Sequence, residues 1–240
     1  MRVLELWRYP VKSLSGERVE RAQIGDAGIV GDRAWGIQHV ESGNVLTARR
    51  APELLFASAR VDGAEVVITL PDGTEVRSDD ASVDAALSAW LEREVHLVRP
   101  GDEGATYENP MDIENEGDWI SWQGPAWSFH DSTKSMISIV GAETLGDRDV
   151  RRFRTNVVVS GGEEDALVGS AATLGSATLD VKKQIDRCIM VTRPQPGLDR
   201  DLGVLKAVIE ERGNMMSVGA LVTAVGSVAV GDELAPSTTA

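Results

Sequence analysis

The chain has 240 residues, 42% hydrophobic and 26% charged, and a formal net charge of −14. At this length one large domain or two small ones can bury roughly 70% of the unfolded surface, and no apolar run approaches the roughly 18 residues of a membrane helix. The acidic balance argues against nucleic-acid or anionic-membrane partners, which need a broad basic surface.

Cys188 is the only cysteine, which excludes an internal disulfide framework and a zinc site of paired cysteines. The opening MRVLELWRYPVKSL lacks the pattern of a secretory signal, so the expected location is cytoplasmic.

In chain order, VLELW, ERVERAQIG, AWGIQHV, VLTA, EVVITL and TEVRS alternate with ESGN and PDG turns. Period-two patterning with this punctuation predicts antiparallel strands in a small barrel or curled sheet. DDASVDAALSAWLERE then places Val83, Leu87, Trp90 and Leu91 at helical spacing behind Asp and Ser residues suited to an N-cap. Residues 100–127 are rich in Gly, Pro and acids, carry three tryptophans and show no period, which predicts a long loop whose aromatics cover a pocket or pin the loop to the core.

Texture returns after Ser135. MISIVGAETL reads as a strand or short helix, RTNVVVSG as a strong strand, ATLGSATLDV and CIMVTRP as strands, LGVLKAVIEERG as a helix, and VGALVTAV and SVAVGDEL as closing strands. The division expected is 1–99, a linker at 100–127, 128–234, and a polar tail at 235–240.

Charge gathers at three strand borders. YPVKSLSG puts Lys12 and Ser13 at a strand-to-turn corner, where the pair can grip a phosphate, although an exposed turn lysine is the commoner reading. In GDRAWGI, Asp32 beside Arg33 reads first as a surface ion pair and second as a ligand-facing arginine. In RRFRTNVVVSG, an extended backbone would bring Arg152, Arg154 and Asn156 to one face, where anion binding and a solvated edge are level alternatives.

Cys188 sits in DRCIM. Its hydrophobic neighbours suit a buried thiol, whereas Arg187 favours the thiolate that attacks or ligates a metal. Histidines occur only at 39, 96 and 130, and each reads as an ordinary surface or core residue. As a sole protein ligand, Cys188 would need a metal whose other ligands arrive with a cofactor. Phosphate-cradling glycine motifs and calcium loops are absent from the sequence.

YPVKSLSGE, GDRAWGI with LTARR, RRFRTNVVVSGGEED, RCIMVTRPQPGLDRD and VGALVTAVGSVAVGDEL together resemble the MOSC-domain proteins with their N-terminal β-barrel domain, in family order from about residue 2 to 234. The resemblance implies a β-rich α+β fold, a small N-terminal barrel followed by a MOSC β-barrel with a few helices. It implies a molybdenum–molybdopterin cofactor with Cys188 as metal ligand. Lys12, Ser13, Arg33, Arg154, Asn156 and Arg187 match positions that contact pterin and phosphate, and Asp131 and Ser132 match another contact stretch more loosely.

The chain departs from the family pattern at Thr155, Leu167, Asp186 and near Leu221. An acid as close to the cysteine as Asp186 could weaken anion binding or serve as a catalytic proton donor.

By this resemblance the expected activity is a reductase acting on N-hydroxylated small molecules. With no four-cysteine iron–sulfur block, it would take electrons from a separate ferredoxin or cytochrome-b-type protein. The alternatives are a cofactor or sulfur carrier and a non-catalytic protein that has lost the cofactor.

Overall fold

In a computed structural model, residues 1–110 and 119–237 are described. Residues 111–118 of the expected loop and 238–240 of the expected tail lie outside them. The fold is β-rich with few helices. An eight-stranded curled sheet runs in the order Leu234–Pro236, Ala171–Leu174, Ala177–Asp186, Met215–Ala224, Ile137–Gly141, Val157–Val159, Val3–Arg8, Glu17–Val19.

Both faces of its centre are covered, which explains the unbroken apolar runs there. Ile137, Ile139, Val157 and Val159 enter the core inside the curl with Leu6, Val181 and Val218. Val140 and Val158, one residue out of phase, point instead into a layer holding Phe153, Leu205 and Val208. That layer includes the Leu202–Arg212 helix, which begins with Asp201 accepting from Gly203 N and ends at a left-handed Gly213. Ile137–Gly141 pairs in parallel with Val157–Val159, and the required crossover carries the short helices Ala142–Leu145 and Val150–Phe153.

The N-terminal half has its own core of Leu14, Ile37, Leu54, Ile68 and Leu87, built on Ser58–Asp62/Glu65–Thr69/Glu75–Arg77 and Gly36–His39/Val95–Val98. Its first strands are nevertheless shared with the rest of the chain. Val3–Arg8 lies beside Val157–Val159, and Arg21–Gly25 pairs with Gly226–Ala229.

Several local expectations change. The 100–127 stretch contains a hairpin, Thr106–Pro110 with Trp119–Gln123. It is docked by the fully buried Tyr107, which supplies the anchoring that the Gly- and Pro-rich composition hid. In VLTA only Val45 pairs, by one isolated bridge to Gln38, and a turn begins at Ala48; IMVT is a 3-10 turn. Arg152, Arg154 and Asn156 do not share an extended face, because Val150–Phe153 is helical and Arg154 is left-handed. At the Val83–Leu91 helix, Ser82 makes no side-chain cap, and Asp80 accepts from Ser82 N at 2.8 Å. Ala235 and Pro236, expected in the tail, complete the edge strand Leu234–Pro236.

Candidate functional site

A cavity of about 320 Å³ brings together Lys12, Ser13, Arg33, Asp131, Ser132, Arg154, Asn156, Asp186, Arg187 and Cys188. These residues come from strand borders spread over the whole chain. Lys12 and Ser13 follow Val3–Arg8, Asn156 precedes Val157–Val159, and Arg187 and Cys188 follow Ala177–Asp186.

At one end two cations share a carboxylate. Lys12 is 5% exposed; its Nζ donates to Phe129 O at 2.8 Å and Asp131 Oδ1 at 3.1 Å and lies 4.1 Å from the Tyr107 ring centroid. The expectation of an exposed turn lysine therefore fails. Burial lowers its pKa to about 8, although Asp131 opposes the shift. Arg49 Nη2 donates to the same Asp131 oxygen at 3.0 Å. Burial works against the Arg49 charge, but Asp131 and the Cys188 sulfur outweigh it and its pKa is raised. The Asp131 carboxyl opens into the cleft with its side chain 54% exposed. Desolvation, which would raise its pKa, is overcome by Arg49 and then Lys12, which hold it well below the usual carboxylate range.

At the other end the cations stand against an aromatic ring. Arg33 and Arg154 lie 5.2 and 4.4 Å from the Tyr9 ring centroid. Arg33 ion-pairs with Asp32, which is buried, so the surface pair expected from sequence is an interior one. Asp32 Oδ1 also accepts from Tyr9 N at 2.7 Å. His130 is buried and approaches Asp32 Oδ2 at 3.4 Å without hydrogen-bond alignment. Burial lowers the pKa of His130 and so favours its neutral ring. Arg154 donates to Leu14 O at 2.6 Å, and burial, reinforced by Arg33, lowers its pKa to about 10. Gly16 lets the Tyr9 ring come close, since a Cβ there would meet Arg8 O at 2.3 Å and Tyr9 Cδ1 at 2.6 Å.

Arg187 is braced, donating to Met216 O at 2.6 and 2.9 Å, to Phe153 O at 3.1 Å, and to Ser217 Oγ. Burial lowers its pKa to about 10. Asn156 Oδ1 accepts from Ser138 N and Oγ at 3.2 and 2.9 Å, and Nδ2 donates to Trp7 O at 3.3 Å. Ser13 Oγ accepts from Ala48 N at 3.0 Å, and Ser132 Oγ from Lys134 N at 3.1 Å. The Asp186 side chain is exposed, with Lys183 Nζ at 3.5 Å. Cys188 is partly exposed and in no disulfide. Ser13, Arg33 and Arg154 all have φ between +49° and +70°. Such strain persists only where the surroundings enforce it, and it clusters at functional sites.

Residues 1–108 match the family model of the MOSC N-terminal beta barrel domain, and residues 132–235 that of the MOSC domain. The chain belongs to the MOSC family.

One relative is the molybdenum cofactor sulfurase of Danio rerio, 23% identical across 89% of this chain and 31% of its own length. Another is the human mitochondrial amidoxime-reducing component 1, 37% identical across 28% of this chain and 21% of its own. The chain thus spans less than a third of either curated relative. The crystal structure of the YuaD protein from Bacillus subtilis aligns over 97% of this chain and 93% of its own, at 16% identity and a TM-score of 0.49.

The donor set of this MOSC chain fits the cofactor its family implies. Among the described residues no three His, Cys, Asp or Glu side chains form a metal-holding group, so a metal bound by Cys188 must bring its other ligands. A soft thiolate suits a sulfur-ligated metal, and the cations suit a phosphate tail. Thr47 and Arg49 also line the cavity and were missed in the sequence. LTARR was visible as a motif, but nothing local marks which of its side chains turns inward.

Proposed function

We propose that this MOSC-domain chain is a molybdenum-cofactor-dependent oxidoreductase that reduces N-hydroxylated small molecules, of amidoxime or hydroxylamine type, with electrons from a separate ferredoxin or cytochrome-b-type protein. The observation that supports this most is the convergence of the Cys188 thiol with Lys12, Arg33, Arg49, Arg152, Arg154, Lys183 and Arg187 in the lining of one cavity of a chain with net charge −14.

When bound, the cofactor supplies the redox chemistry, and the chain supplies position and electrostatics. We assign Cys188 as the metal ligand. Lys12, Ser13, Arg33, Arg154, Asn156 and Arg187 hold the pterin and its phosphate. Asp131 and Ser132 complete that wall, Asp131 chiefly by fixing Lys12 and Arg49. To Asp186, open to solvent yet in the cavity lining, we assign the passing of a proton from water to the substrate. We divide the chain into units 1–99 and 128–234 and place it in the cytoplasm; no helix among the described residues is long and apolar enough to cross a membrane.

The test is purification of wild type and Cys188→Ser from a host that makes the cofactor, with molybdenum and pterin measured on both. Wild type retains both and reduces an amidoxime with a chemical electron donor, while the serine variant loses molybdenum. Equal molybdenum in the two removes the ligand assignment, and a fully loaded but inert protein removes the reductase.

A carrier reading is favoured by the relative matched across 89% of this chain, a molybdenum cofactor sulfurase. In that case Cys188 carries a persulfide detectable by mass, and the protein releases cofactor to an apo-enzyme.

A further inference from the structure

Thr47 and Arg49 belong to one turn, closed by Arg50 N donating to Thr47 O at 3.0 Å and Ala51 N to the same oxygen at 2.8 Å. Thr47 is 4% exposed, lines the cavity, and its Oγ1 has no hydrogen-bond partner. A buried hydroxyl left unpaired costs stability, so one that persists facing a polar cavity points to a partner that comes and goes. The backbone between the two is already used, since Ala48 N donates to Ser13 Oγ. Arg49 offers a fork of five N–H donors, of which Asp131 engages part, and it lines the same cavity as Cys188. Lys12 adds charge, with two of its three donors spent on Phe129 O and Asp131.

We infer that Thr47 and Arg49 build a second anion subsite at the thiol end of the cavity, apart from the Arg33–Arg154 pair at the Tyr9 end, and that it takes a small oxyanion of phosphate or sulfate type. The planar guanidinium pairs with two oxygens, and the threonine hydroxyl donates to a third. Nothing in this depends on the reductase reading.

The test uses full-length apo-protein and the rate of Cys188 alkylation by iodoacetamide. An oxyanion seated beside the sulfur blocks the reagent's approach, so phosphate or sulfate slows alkylation by about threefold to tenfold relative to chloride at equal ionic strength. Thr47→Val and Arg49→Gln lose that slowing, and Arg154→Gln keeps it. Because Thr47→Val removes an unpaired hydroxyl with little change of shape, it keeps or raises the Tm of the apo-protein while weakening the anion effect, which a purely structural threonine would not do.

Equal slowing by chloride overturns the inference. So does slowing that survives in both Thr47→Val and Arg49→Gln, or that vanishes only in Arg154→Gln. Sulfate titration of cofactor-loaded protein identifies the occupant: binding lost on loading marks the cofactor's own phosphate, and binding retained marks a free oxyanion. The molybdenum content of Cys188→Ser is a separate measurement, so failure here leaves the metal-ligand assignment standing.

Discussion

Arg33 and Arg154 are held together against their own repulsion. Arg33 Nη2 donates to the Arg154 carbonyl at 3.2 Å, and both guanidinium groups lie against Tyr9, 5.2 and 4.4 Å from its ring centroid. Two cations this close in a poorly hydrated site need compensation, which the ring face and Asp32 provide. The Tyr9 hydroxyl is buried without a partner, and burial raises its pKa, so it stays neutral. Tyr9→Phe is therefore expected to fold and to retain cofactor like wild type. Tyr9→Leu removes the ring, costs about 2 kcal/mol in urea unfolding and lowers the retained pterin. Equal retention in the two variants would show that the ring does not hold the cations.

Asp32 makes the site sensitive to acid. Burial alone would raise its pKa, but Arg33, with the bond from Tyr9 N, outweighs it and holds the carboxyl far below the ordinary value of 3.8. A depressed folded pKa contributes stability that is fully present above the unfolded pKa and is lost as pH falls toward the folded one. Wild type is expected to weaken steadily below about pH 4. Asp32→Asn leaves Arg33 buried and unpaired, costs about 3–5 kcal/mol at neutral pH, and flattens that acid limb. Urea midpoints at a series of pH values test both statements.

Most strands and both longer helices could be read from the sequence, because alternation and helical spacing are local signals. Arg154 was legible as charge in an acidic chain, and its neighbour Arg152 also lines the cavity, though from a helix and not along an extended face. Arg152 sits in the Val150–Phe153 helix, two residues before the left-handed Arg154, and spends its donors on the carbonyls of Val191, Arg193 and Asp199. Arg49 was hidden for the opposite reason. Its importance comes from Asp131, 82 residues away, and no periodicity carries contacts of that range. The hairpin after residue 105 was masked by Gly and Pro, while its anchor Tyr107 could be recognised only by what packs on it, Lys12 on the ring and Trp122 stacked at 5.5 Å.

Asp186 separates proton delivery from cofactor binding. Its side chain is exposed and pairs with Lys183 at 3.5 Å, a contact of little energetic weight at the surface. Asp186→Asn is expected to leave Tm and molybdenum content unchanged and to lower kcat by about 100-fold or more, as loss of a general acid does. Asp186→Glu, which restores the proton, recovers part of the rate. An asparagine variant with wild-type kcat would exclude the carboxyl from the reaction.

Lys12 sets an upper pH limit on anion binding. Its pKa is lowered to about 8, by burial first, with Asp131 opposing and Arg49 adding to the shift. In the folded protein the ammonium is therefore lost as pH rises through about 8, well before an unfolded lysine would lose its proton. Between the folded and unfolded pKa values the unfolded chain binds more protons, so the lysine's own contribution to stability rises with pH in that window. Anion affinity moves the other way, because the cavity gives up one of its positive charges. Phosphate affinity of the apo-protein is expected to fall across pH 7–9. In Lys12→Met it is weak throughout, without the step, while the Tm stays at or above that of wild type, since a buried charge has been removed. A wild-type affinity that stays level across pH 7–9 would mean Lys12 is spent on Asp131 and contributes nothing to the ligand.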